Sequence, residues 1–600
     1  MFKKENILLL QKELKKNNLK AYLILTSDPH DNEYISEYYL KERLFFAPFS
    51  GSAGTLLISE NKAFLSTDGR YWEQAEKELS GTGITLIKDG DIGVPSLTDF
   101  IKQNGFYPLG INYLNISEAK LETLLNKGIV TKNIDFSYLL DKKKEKSGKI
   151  FALDKNLYTL SYKDKIESIK HEIKEKDSEA HLLTTLDDIA FTLNLRGKDI
   201  PFNPVFYSYL YISLNEGVHL FVDLDKLDFS LEGVNVHPYE EIFSFIKARE
   251  NIKTLIDPTR VNAYLYSLLK EPVISKNPSY LMKAIKGPVE IKNIKSIQEI
   301  DGLALLKFQK YLEDNLDKNL TEYDYSLKLK EFREESNLLF DLSFNTIASV
   351  GKNAAMMHYA PKKDNSSTVN KEKIEFLVDS GGQYFGGTTD TTRTFLIGKA
   401  NQEFIHDYTL TLKALIAISG AVFLEKSDGH TLDILARRYF WNEGMDYKCG
   451  TGHGVGYILN VHEGPNGLRY KAVPERDDQA PIVPGMITTI EPGVYKSGKY
   501  GIRIENNLLC VKAFSTSDGN FFKFETITYV PIETKCLDLS IMSNEEVDWL
   551  NNYHKLVFSK LSPLIKDNDL LEFLKSKTKE IHKNSWELQG FNLFIWYFLN

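Results

Sequence analysis

Apolar residues in the first third of the chain follow a helix-then-strand pattern that occurs twice. Ile7, Leu10 and Leu14 have the i, i+3, i+7 spacing of one helix face. The same spacing returns 159 residues later, at Ile166, Ile169 and Ile173. Each predicted helix leads into a short apolar strand, in the segments AYLILTS and AHLLTT. The pattern predicts two duplicated domains, and the alternative is chance, because helix followed by strand is a common unit.

The element pattern also predicts where the domains end. The charged segment Asp141–Lys149 has almost no apolar residues and predicts a linker. Strand-like GVHLFVDLD and KTLIDP continue the second copy, and a helical pattern begins near Ile294. Beyond it, strands bounded by Gly pairs alternate with helices such as DYTLTLKALIAISGAVFLEK. We expect an α/β domain at 1–145, a second at 146–300 and a mixed α+β domain at 301–600. An amphipathic segment at 544–580 lies near the end of the third domain.

Composition narrows the class of protein. Of the 600 residues, 42% are hydrophobic and 26% charged, which excludes a disordered or collagen-like chain. Lys and Arg number 74 against 82 Asp and Glu, so the net charge of −8 gives no support to a nucleic-acid partner. Three cysteines, Cys449, Cys510 and Cys536, are too few for a disulfide framework and indicate a reducing compartment. We expect a cytoplasmic protein.

Membrane signals are weak. The apolar run from Ile7 to Leu10 is too short for a signal peptide, and no stretch approaches the roughly 18 apolar residues of a membrane span. No membrane partner is therefore expected. The last ten residues, FNLFIWYFLN, are apolar. They indicate a terminal strand or a docked tail, with a membrane or partner anchor as the alternative.

Two aspartates follow neighbouring apolar strands in the third domain. IEFLVDSGG ends in Asp379, and YFGGTTDTTRTFLIG carries Asp390 on the next strand. We expect the Gly381–Gly382 pair to turn the chain, so that the two carboxylates meet across a hairpin. The alternative is a turn aspartate and a surface aspartate. Asp379 follows the apolar residues FLV, however, where an unpaired carboxylate would be costly.

The same arrangement occurs again with glutamates. ITTIEPGVY ends a strand at Glu491, SGKYG turns the chain, and GIRIENNLLC carries Glu505 on the return strand. Between the two hairpins, CGTGHGVGYILNVHEGP places His453 between glycines. A lone histidine is more often structural, but one in a Gly-rich loop beside four carboxylates is a candidate ligand.

Four carboxylates and one imidazole predict two divalent metal ions. Such an oxygen-rich donor set differs from a thiolate zinc site, so Mn²⁺ is the expected metal, with Co²⁺ or Zn²⁺ as alternatives. Two ions that share a water lower its pKa and supply hydroxide near neutral pH. The sequence therefore predicts metal-assisted hydrolysis.

These motifs resemble the X-prolyl aminopeptidase (aminopeptidase P) family of pita-bread metallopeptidases. The resemblance rests on DSGGQYFGGTTDTTRTF, TGHGVGYILNVHEGP, ITTIEPGVY and YGIRIEN, and on FSGSAGT, STDGRYWEQA and LDDIAFTLNLRGKDIPFNPVFYSYL before them. It covers nearly the whole chain up to about residue 581. It implies two creatinase-like domains before a pita-bread catalytic domain, and a homodimer formed through the catalytic domain.

The resemblance also implies a role for each candidate residue. Asp390 and Glu505 would bridge both metals, Asp379 would complete the second metal's ligands, and His453 and Glu491 those of the first. A metal-bridging hydroxide would attack the scissile carbonyl, and Glu491 would pass a proton to the leaving proline nitrogen. Further implied roles are substrate contact by His358 and oxyanion stabilisation by His462. Arg503 lies two residues before Glu505, on the same strand face by the two-residue period, so we expect it to anchor carboxylates. Arg70 in TDGRY is a candidate for contact with bound peptide. Two structurally satisfied buried histidines are the alternative for His358 and His462.

The implied substrates are peptides with a penultimate proline, a bond that lacks an N–H and has a restricted backbone. The function expected from the resemblance is an aminopeptidase that cleaves between the N-terminal residue and that proline. One alternative is another pita-bread hydrolase such as prolidase or creatinase. A second is a non-catalytic peptide-binding or chaperone-like module, although such a protein would lose metal ligands and all five are present here.

Cys449 departs from the family pattern. This chain has CGTGHG where many members have HGTGHG, so one polar substrate contact is in doubt. We expect either a small residue that merely packs or a reactive thiol in the substrate pocket whose pKa is lowered by nearby cations.

Overall fold

The computed structural model describes residues 2–141, 148–471 and 480–583. Its first part is one six-stranded sheet with helices packed on it. The helices are α1 Lys4–Lys16, α2 Glu37–Phe46, α3 Trp72–Leu79, α4 Leu97–Gln103 and α5 Glu118–Asn126. The strands are β1 Ala21–Ile24, β2 Thr55–Ser59, β3 Ala63–Thr67, β4 Ile84–Lys88, β5 Leu109–Ile111 and β6 Thr131–Asn133. Their order across the sheet is β4-β3-β2-β1-β5-β6, with β1 antiparallel to β2 and parallel to β5.

The second part repeats this topology. Its helices are α6 Tyr162–Glu175, α7 Leu186–Leu193, α8 Ile242–Lys247, α9 Ala263–Tyr266 and α10 Pro278–Ala284. Its strands are β7 Phe151–Ala152, β8 Ala180–Leu183, β9 Leu195–Arg196, β10 Ser208–Ser213, β11 Gly217–Val222, β12 Val234–Pro238, β13 Thr254–Ile256 and β14 Pro272–Ile274. The main sheet has the order β12-β11-β10-β8-β13-β14, which corresponds strand for strand to the first sheet. The predicted duplication is therefore confirmed in the topology.

Burial explains why the repeated helices form. In α1 the residues Leu10 and Leu14 are fully buried, and in α6 the corresponding residues Ile169 and Ile173 are fully buried as well. Each helix lays this apolar face on the sheet that follows it, which supplies most of the stability of such short amphipathic helices.

The third part begins with a 27-residue helix, α11, and contains both predicted hairpins. Its helices are α11 Pro288–Asp314, α12 Glu322–Glu334, α13 Gln402–Ser419, α14 Gly429–Trp441, α15 Asn544–Leu561 and α16 Asn568–Lys577. Its strands are β15 Leu339–Leu342, β16 Ile347–Ser349, β17 Glu375–Ser380, β18 Gly382–Tyr384, β19 Gly387–Thr388, β20 Thr391–Leu396, β21 Val422–Leu424, β22 Gly452–His453, β23 Gly467–Leu468, β24 Ile487–Ile490, β25 Gly493–Lys496, β26 Tyr500–Arg503, β27 Asn506–Thr516 and β28 Gly519–Thr526. The fold is mixed, as expected, with runs of strands between the helices.

Two expectations need adjustment. Residue 300 lies inside α11, which is continuous from Pro288, so we propose that the third domain begins at about 288. The Gly381–Gly382 pair does not turn the chain, because β18 and β19 extend the hairpin and pair with each other beyond it. Gly381 is needed for close packing instead, since a Cβ there would lie 1.8 Å from the carbonyl oxygen of Thr389.

Some expectations concern residues outside the described part of the chain. They are the apolar tail at 591–600, most of the charged linker and the first domain boundary at 145. Within the described residues, no helix is both long enough and apolar enough to cross a membrane.

Candidate active site

The five predicted metal ligands meet at the ends of paired strands. Asp379 lies on β17, and its antiparallel partner β20 begins directly after Asp390. Glu491 follows β24 and Glu505 precedes β27, and these two strands also pair, antiparallel. His453 ends β22. All five side chains line one cavity of about 340 Å³, which the other candidates His358, His462, Cys449 and Arg503 also line.

Distances within the cluster suit a shared cation. His453 Nε2 lies 3.4 Å from Asp390 Oδ2 and 3.4 Å from Glu491 Oε1. Ligand atoms of Asp390, His453 and Glu505 all lie within 4.8 Å of one another. The His453 Nδ1 atom is 2.9 Å from the Gly454 carbonyl oxygen, which can only accept a hydrogen bond. The ring proton therefore sits on Nδ1, and the Nε2 lone pair faces the carboxylates.

The negative charge of these carboxylates exceeds the positive charge that nearby protein groups supply. Burial, together with the neighbouring carboxylates Asp379 and Glu491, raises the pKa of Asp390 well above its ordinary value. Burial and the same cluster raise the pKa of Glu505 well above its ordinary value too. Carboxylates so crowded in a buried site need added positive charge to stay ionised near neutral pH.

Hydrogen bonds orient the ligands and leave one atom open. Arg503 Nη2 donates to Asp379 Oδ2 at 2.7 Å, as its predicted anchoring role requires. Thr392 Oγ1 donates to Glu505 Oε2 at 2.8 Å. Asp379 Oδ1 is buried and has no hydrogen-bond partner among the described residues. An orphaned carboxylate oxygen beside unbalanced acids fits a divalent cation, so the residues present suit the expected metals.

The first part of the chain completes the wall around the two further histidines. Tyr71 Oη lies 3.1 Å from His358 Nδ1, and Glu33 Oε2 lies 2.7 Å from His462 Nδ1. The rings of His462 and His453 touch edge to face, with centroids 4.3 Å apart. Burial lowers the pKa of His358 well below its usual value, and it lowers that of His462 against the opposing effect of Glu33. The His358 ring is therefore neutral near pH 7.

The structure gives no support to two of the expectations about the substrate pocket. Arg70 does not line the cavity, and its guanidinium forms two 2.8 Å hydrogen bonds to the Asp68 carboxylate, so the arrangement gives no support to peptide contact by Arg70. Cys449 does line the cavity, but burial and the nearby Glu491 raise the pKa of its thiol to about 12. The protein surroundings thus oppose the reactive-thiol alternative and favour a Cys449 that merely packs.

Sequence reasoning missed Glu33 and Tyr71 as parts of the site. Tyr71 belongs to the motif STDGRYWEQA, in which the sequence pattern indicates its neighbour Arg70 instead. Glu33 lies 429 residues before His462 in the chain. No local spacing can signal such a contact, because it depends on how two domains pack.

Known families match the chain from residue 7 to 581. The models of the creatinase/prolidase N-terminal domain match residues 7–143 and 141–290. The model of metallopeptidase family M24 matches 292–512, and that of the C-terminal region of peptidase M24 matches 520–581. Xaa-Pro aminopeptidase 1 of Dictyostelium discoideum is 35% identical over 605 residues, covering 95% of each chain. The chain belongs to metallopeptidase family M24.

Other M24 relatives span nearly the same length. Aminopeptidase P2 of Arabidopsis thaliana is 35% identical, covering 94% of this chain and 86% of its own. Among solved structures, an X-prolyl aminopeptidase from Caenorhabditis elegans, described as a cytosolic enzyme with a di-nuclear active site, superposes with a TM-score of 0.88. It is 31% identical and covers 94% of this chain and 95% of its own. The family supports two divalent metals in this M24 protein and confirms creatinase-like domains before the catalytic one.

Proposed function

We propose that the protein is an Xaa-Pro aminopeptidase that releases an N-terminal residue from a penultimate proline. The observation that carries the proposal is the convergence of Asp379, Asp390, His453, Glu491 and Glu505 in one cavity, with the Asp379 Oδ1 atom unpartnered. The relatives that match over nearly the full chain bear this name. The rival reading as a non-catalytic module loses support, because the full ligand set is present and brought together.

Each ligand has a place in the proposal. Asp390 and Glu505 would hold both ions, Asp379 the second alone, and His453 and Glu491 the first. Mn²⁺ is the proposed metal, because carboxylate oxygens dominate the donor set. When bound, the ion pair supplies Lewis-acid catalysis and makes water a nucleophile near neutral pH.

Glu491 is placed to move a proton. Its side chain is 21% exposed, against 12% for Asp379 and 6% for Asp390, and it faces the cavity. Thr489 Oγ1 donates to Glu491 Oε1 at 3.2 Å, which leaves Oε2 to take the water proton and pass it to the leaving proline nitrogen.

His358 and His462 would contact the peptide. Tyr71 Oη also lies 2.6 Å from Ser52 Oγ, so Ser52 can donate to Tyr71 while Tyr71 donates to His358 Nδ1. The proton of the neutral His358 ring then sits on Nε2, free to donate to substrate. Glu33 holds His462 by accepting a hydrogen bond from Nδ1, and the edge contact with His453 keeps the ring beside the metal ligands. His462 Nε2 would donate to the scissile carbonyl oxygen in the protonated ring, which the Glu33 carboxylate favours.

The cavity suits chain ends. Tyr34, Ser50 and Tyr71 from the first part of the chain line it together with the metal ligands. A wall at this position restricts entry to a peptide terminus, as an exopeptidase requires. A homodimer through the catalytic domain and a cytosolic location are part of the same proposal. The location is supported by the description of the C. elegans enzyme and by three free cysteines.

The test compares substrates and metals. Purified protein is stripped with a chelator, reloaded with Mn²⁺, Co²⁺ or Zn²⁺, and assayed on Arg-Pro-Pro, Arg-Pro and Arg-Ala-Pro. We expect release of arginine from Arg-Pro-Pro, highest with Mn²⁺, and little cleavage of the other two. Preference for the dipeptide Arg-Pro would instead indicate a prolidase, and cleavage of Arg-Ala-Pro at a similar rate would refute proline selectivity. Size-exclusion chromatography with light scattering tests the dimer.

A further inference from the structure

The loop between His453 and His462 is folded back on itself. The Glu463 backbone N–H donates to the Gly454 carbonyl at 2.8 Å, and the Gly456 N–H donates to the Asn460 carbonyl at 3.0 Å. This return brings the two histidine rings into edge contact. The position of His462 therefore depends on the conformation of residues 454–463, which we call the histidine loop.

The histidine loop contains a strained residue. Ile458 has a φ of +49°, in the left-handed region, and its side chain is fully buried. A β-branched residue is a rare occupant of that region, because its Cβ crowds the backbone. Such a conformation persists only where surrounding contacts enforce it.

Three consecutive carbonyl groups of the histidine loop receive buried side-chain donors. Arg196 Nη2 donates to the Tyr457 carbonyl at 3.1 Å, and Arg196 Nε donates to the Ile458 carbonyl. Gln383 Nε2 donates to the Leu459 carbonyl at 2.7 Å. Arg196 ends β9 in the second part of the chain, 262 residues before Ile458, so a separate domain holds the strained turn.

Arg196 is an unusual residue to bury. It is 2% exposed, and its remaining bonds go to the carbonyls of Ala190 at 2.9 Å and Leu195 at 2.8 Å. Among the ion pairs of the described residues, none includes Arg196. Burial lowers the pKa of its guanidinium to about 9. A buried cation satisfied by neutral carbonyls alone is a poor source of stability, which points to a positional role.

A second contact, made by Lys286 just after α10, fixes the C-terminal end of the histidine loop. Lys286 Nζ lies 2.5 Å from Glu463 Oε1, and both side chains are at most 2% exposed. Glu463 directly follows His462. The loop is thus held at its centre by Arg196 and at its end by Lys286, while its start is fixed by the ligand position of His453.

We infer that Arg196 is a positioning residue: by clamping the Tyr457 and Ile458 carbonyls it enforces the left-handed turn that places His462 beside the metal site. The inference rests on the proposed function for its catalytic readout. Arg196 touches neither substrate nor metal. Its removal should therefore affect turnover while metal content and substrate affinity change little.

The test uses Arg196→Met and Arg196→Lys, with Lys165→Met as the matched control. Lys165 is also buried in the second domain and donates to the Phe191 carbonyl at 2.8 Å, but the hydrogen bonds of the described residues do not join it to the histidine loop. In Arg196→Met we expect kcat on Arg-Pro-Pro to fall at least about tenfold, KM to change less than about threefold and metal content to match wild type. The kcat of Arg196→Lys should lie between those of wild type and Arg196→Met, because one ammonium group cannot bind both carbonyls in the fork geometry of arginine.

Hydrogen exchange separates positioning from general destabilisation. Amides of 454–463 should exchange faster in Arg196→Met than in wild type or Lys165→Met. Adding Ile458→Gly to Arg196→Met should recover part of the lost kcat, because glycine adopts the left-handed φ without a side-chain clash. If Arg196→Met fails to fold, kcat, metal content and amide hydrogen exchange are compared in Arg196→Lys instead.

Four results would overturn the inference. They are an unchanged kcat in Arg196→Met, unchanged exchange of the histidine loop, an equal loss of kcat in Lys165→Met, and a loss of kcat that follows loss of metal. Failure of the proposed function is separate, since wild type itself would then release no arginine. In that case the role of Arg196 is decided only by whether the amides of 454–463 exchange hydrogen faster in Arg196→Met than in wild type.

Discussion

Asp390→Asn should have opposite effects on stability with and without metal. In the metal-free protein, burial and the neighbouring acids raise the pKa of Asp390, so its ionised form destabilises the fold. An amide keeps the shape and removes the charge. We therefore expect metal-free Asp390→Asn to unfold at a higher temperature than metal-free wild type at pH 8. With Mn²⁺ added, wild type should be the more stable, because the variant lacks a bridging ligand.

The size of the stability change follows from two contributions to the free energy of unfolding. Each unit by which the folded pKa exceeds the unfolded one corresponds to about 1.4 kcal/mol of destabilisation once the group is ionised. An ion at a hundred times its Kd stabilises the folded state by about 2.7 kcal/mol. At about 2.1 cal/mol/K per residue, the third domain of roughly 300 residues has an unfolding entropy of about 0.6 kcal/mol/K, so loss of one ion lowers its Tm by roughly 4 °C. Effects of this size are easily measured.

The pH dependence of the metal-free protein gives a sharper form of the prediction. The Asp390 pKa is raised above its ordinary value of 3.8. Its favourable neutral state is therefore present below pH 3.8 and is lost as pH rises through the folded pKa. Wild type and Asp390→Asn should have nearly equal stability near pH 4, and the advantage of the variant should grow toward pH 8.

Thermal unfolding by circular dichroism, with metal content measured in parallel, checks this prediction. Asp301→Asn is the control, because Asp301 is equally buried but pairs with Arg333 at 2.7 Å. Its substitution strands a buried guanidinium and should destabilise the protein by about 3–5 kcal/mol with or without metal. If metal-free Asp390→Asn is less stable than wild type at pH 8, repulsion among the acids does not dominate the empty site and the reasoning fails.

Three further predictions concern other groups. Burial raises the pKa of Glu375 to about 8, so its stabilising neutral form is lost as pH rises from 4.5 through 8; Glu375→Gln should be more stable than wild type at pH 9 and similar at pH 4, by urea unfolding. Because burial raises the pKa of the Cys449 thiol to about 12 in the metal-free protein, iodoacetamide applied at pH 7.5 before metal is added back should inactivate wild type and Cys449→Ser equally slowly; much faster loss in wild type would contradict this. Tyr71→Phe removes the hydroxyl that contacts His358 and should lower kcat/KM by about 2–10-fold at unchanged metal content, as expected for one hydrogen bond; an unchanged kcat/KM would show that this contact does not matter.

Local pattern was sufficient for the parts of the fold that repeat or alternate. The spacing of Leu10 and Leu14, and of Ile169 and Ile173, predicted the helices that open both N-terminal domains, because helix periodicity is a property of neighbouring residues. The amphipathic segment at 544–580 became α15 and α16 for the same reason. Local pattern failed at Gly381, where packing against the Thr389 carbonyl rather than a turn requires glycine.

The sequence by itself determined which side chains could serve the metal site, since acids placed at the ends of apolar strands are costly unless they bind something. It indicated Arg503 beside Glu505 through the two-residue period of a strand. Only the tertiary structure decided that the Arg70 guanidinium is hydrogen-bonded to the Asp68 carboxylate and that burial raises the pKa of the Cys449 thiol. It also decided which residues of the N-terminal domains contact the site. Glu33 reaches His462 across 429 residues and Arg196 reaches Ile458 across 262. Such contacts depend on domain packing and desolvation, which arise from the whole fold and leave no trace in local spacing.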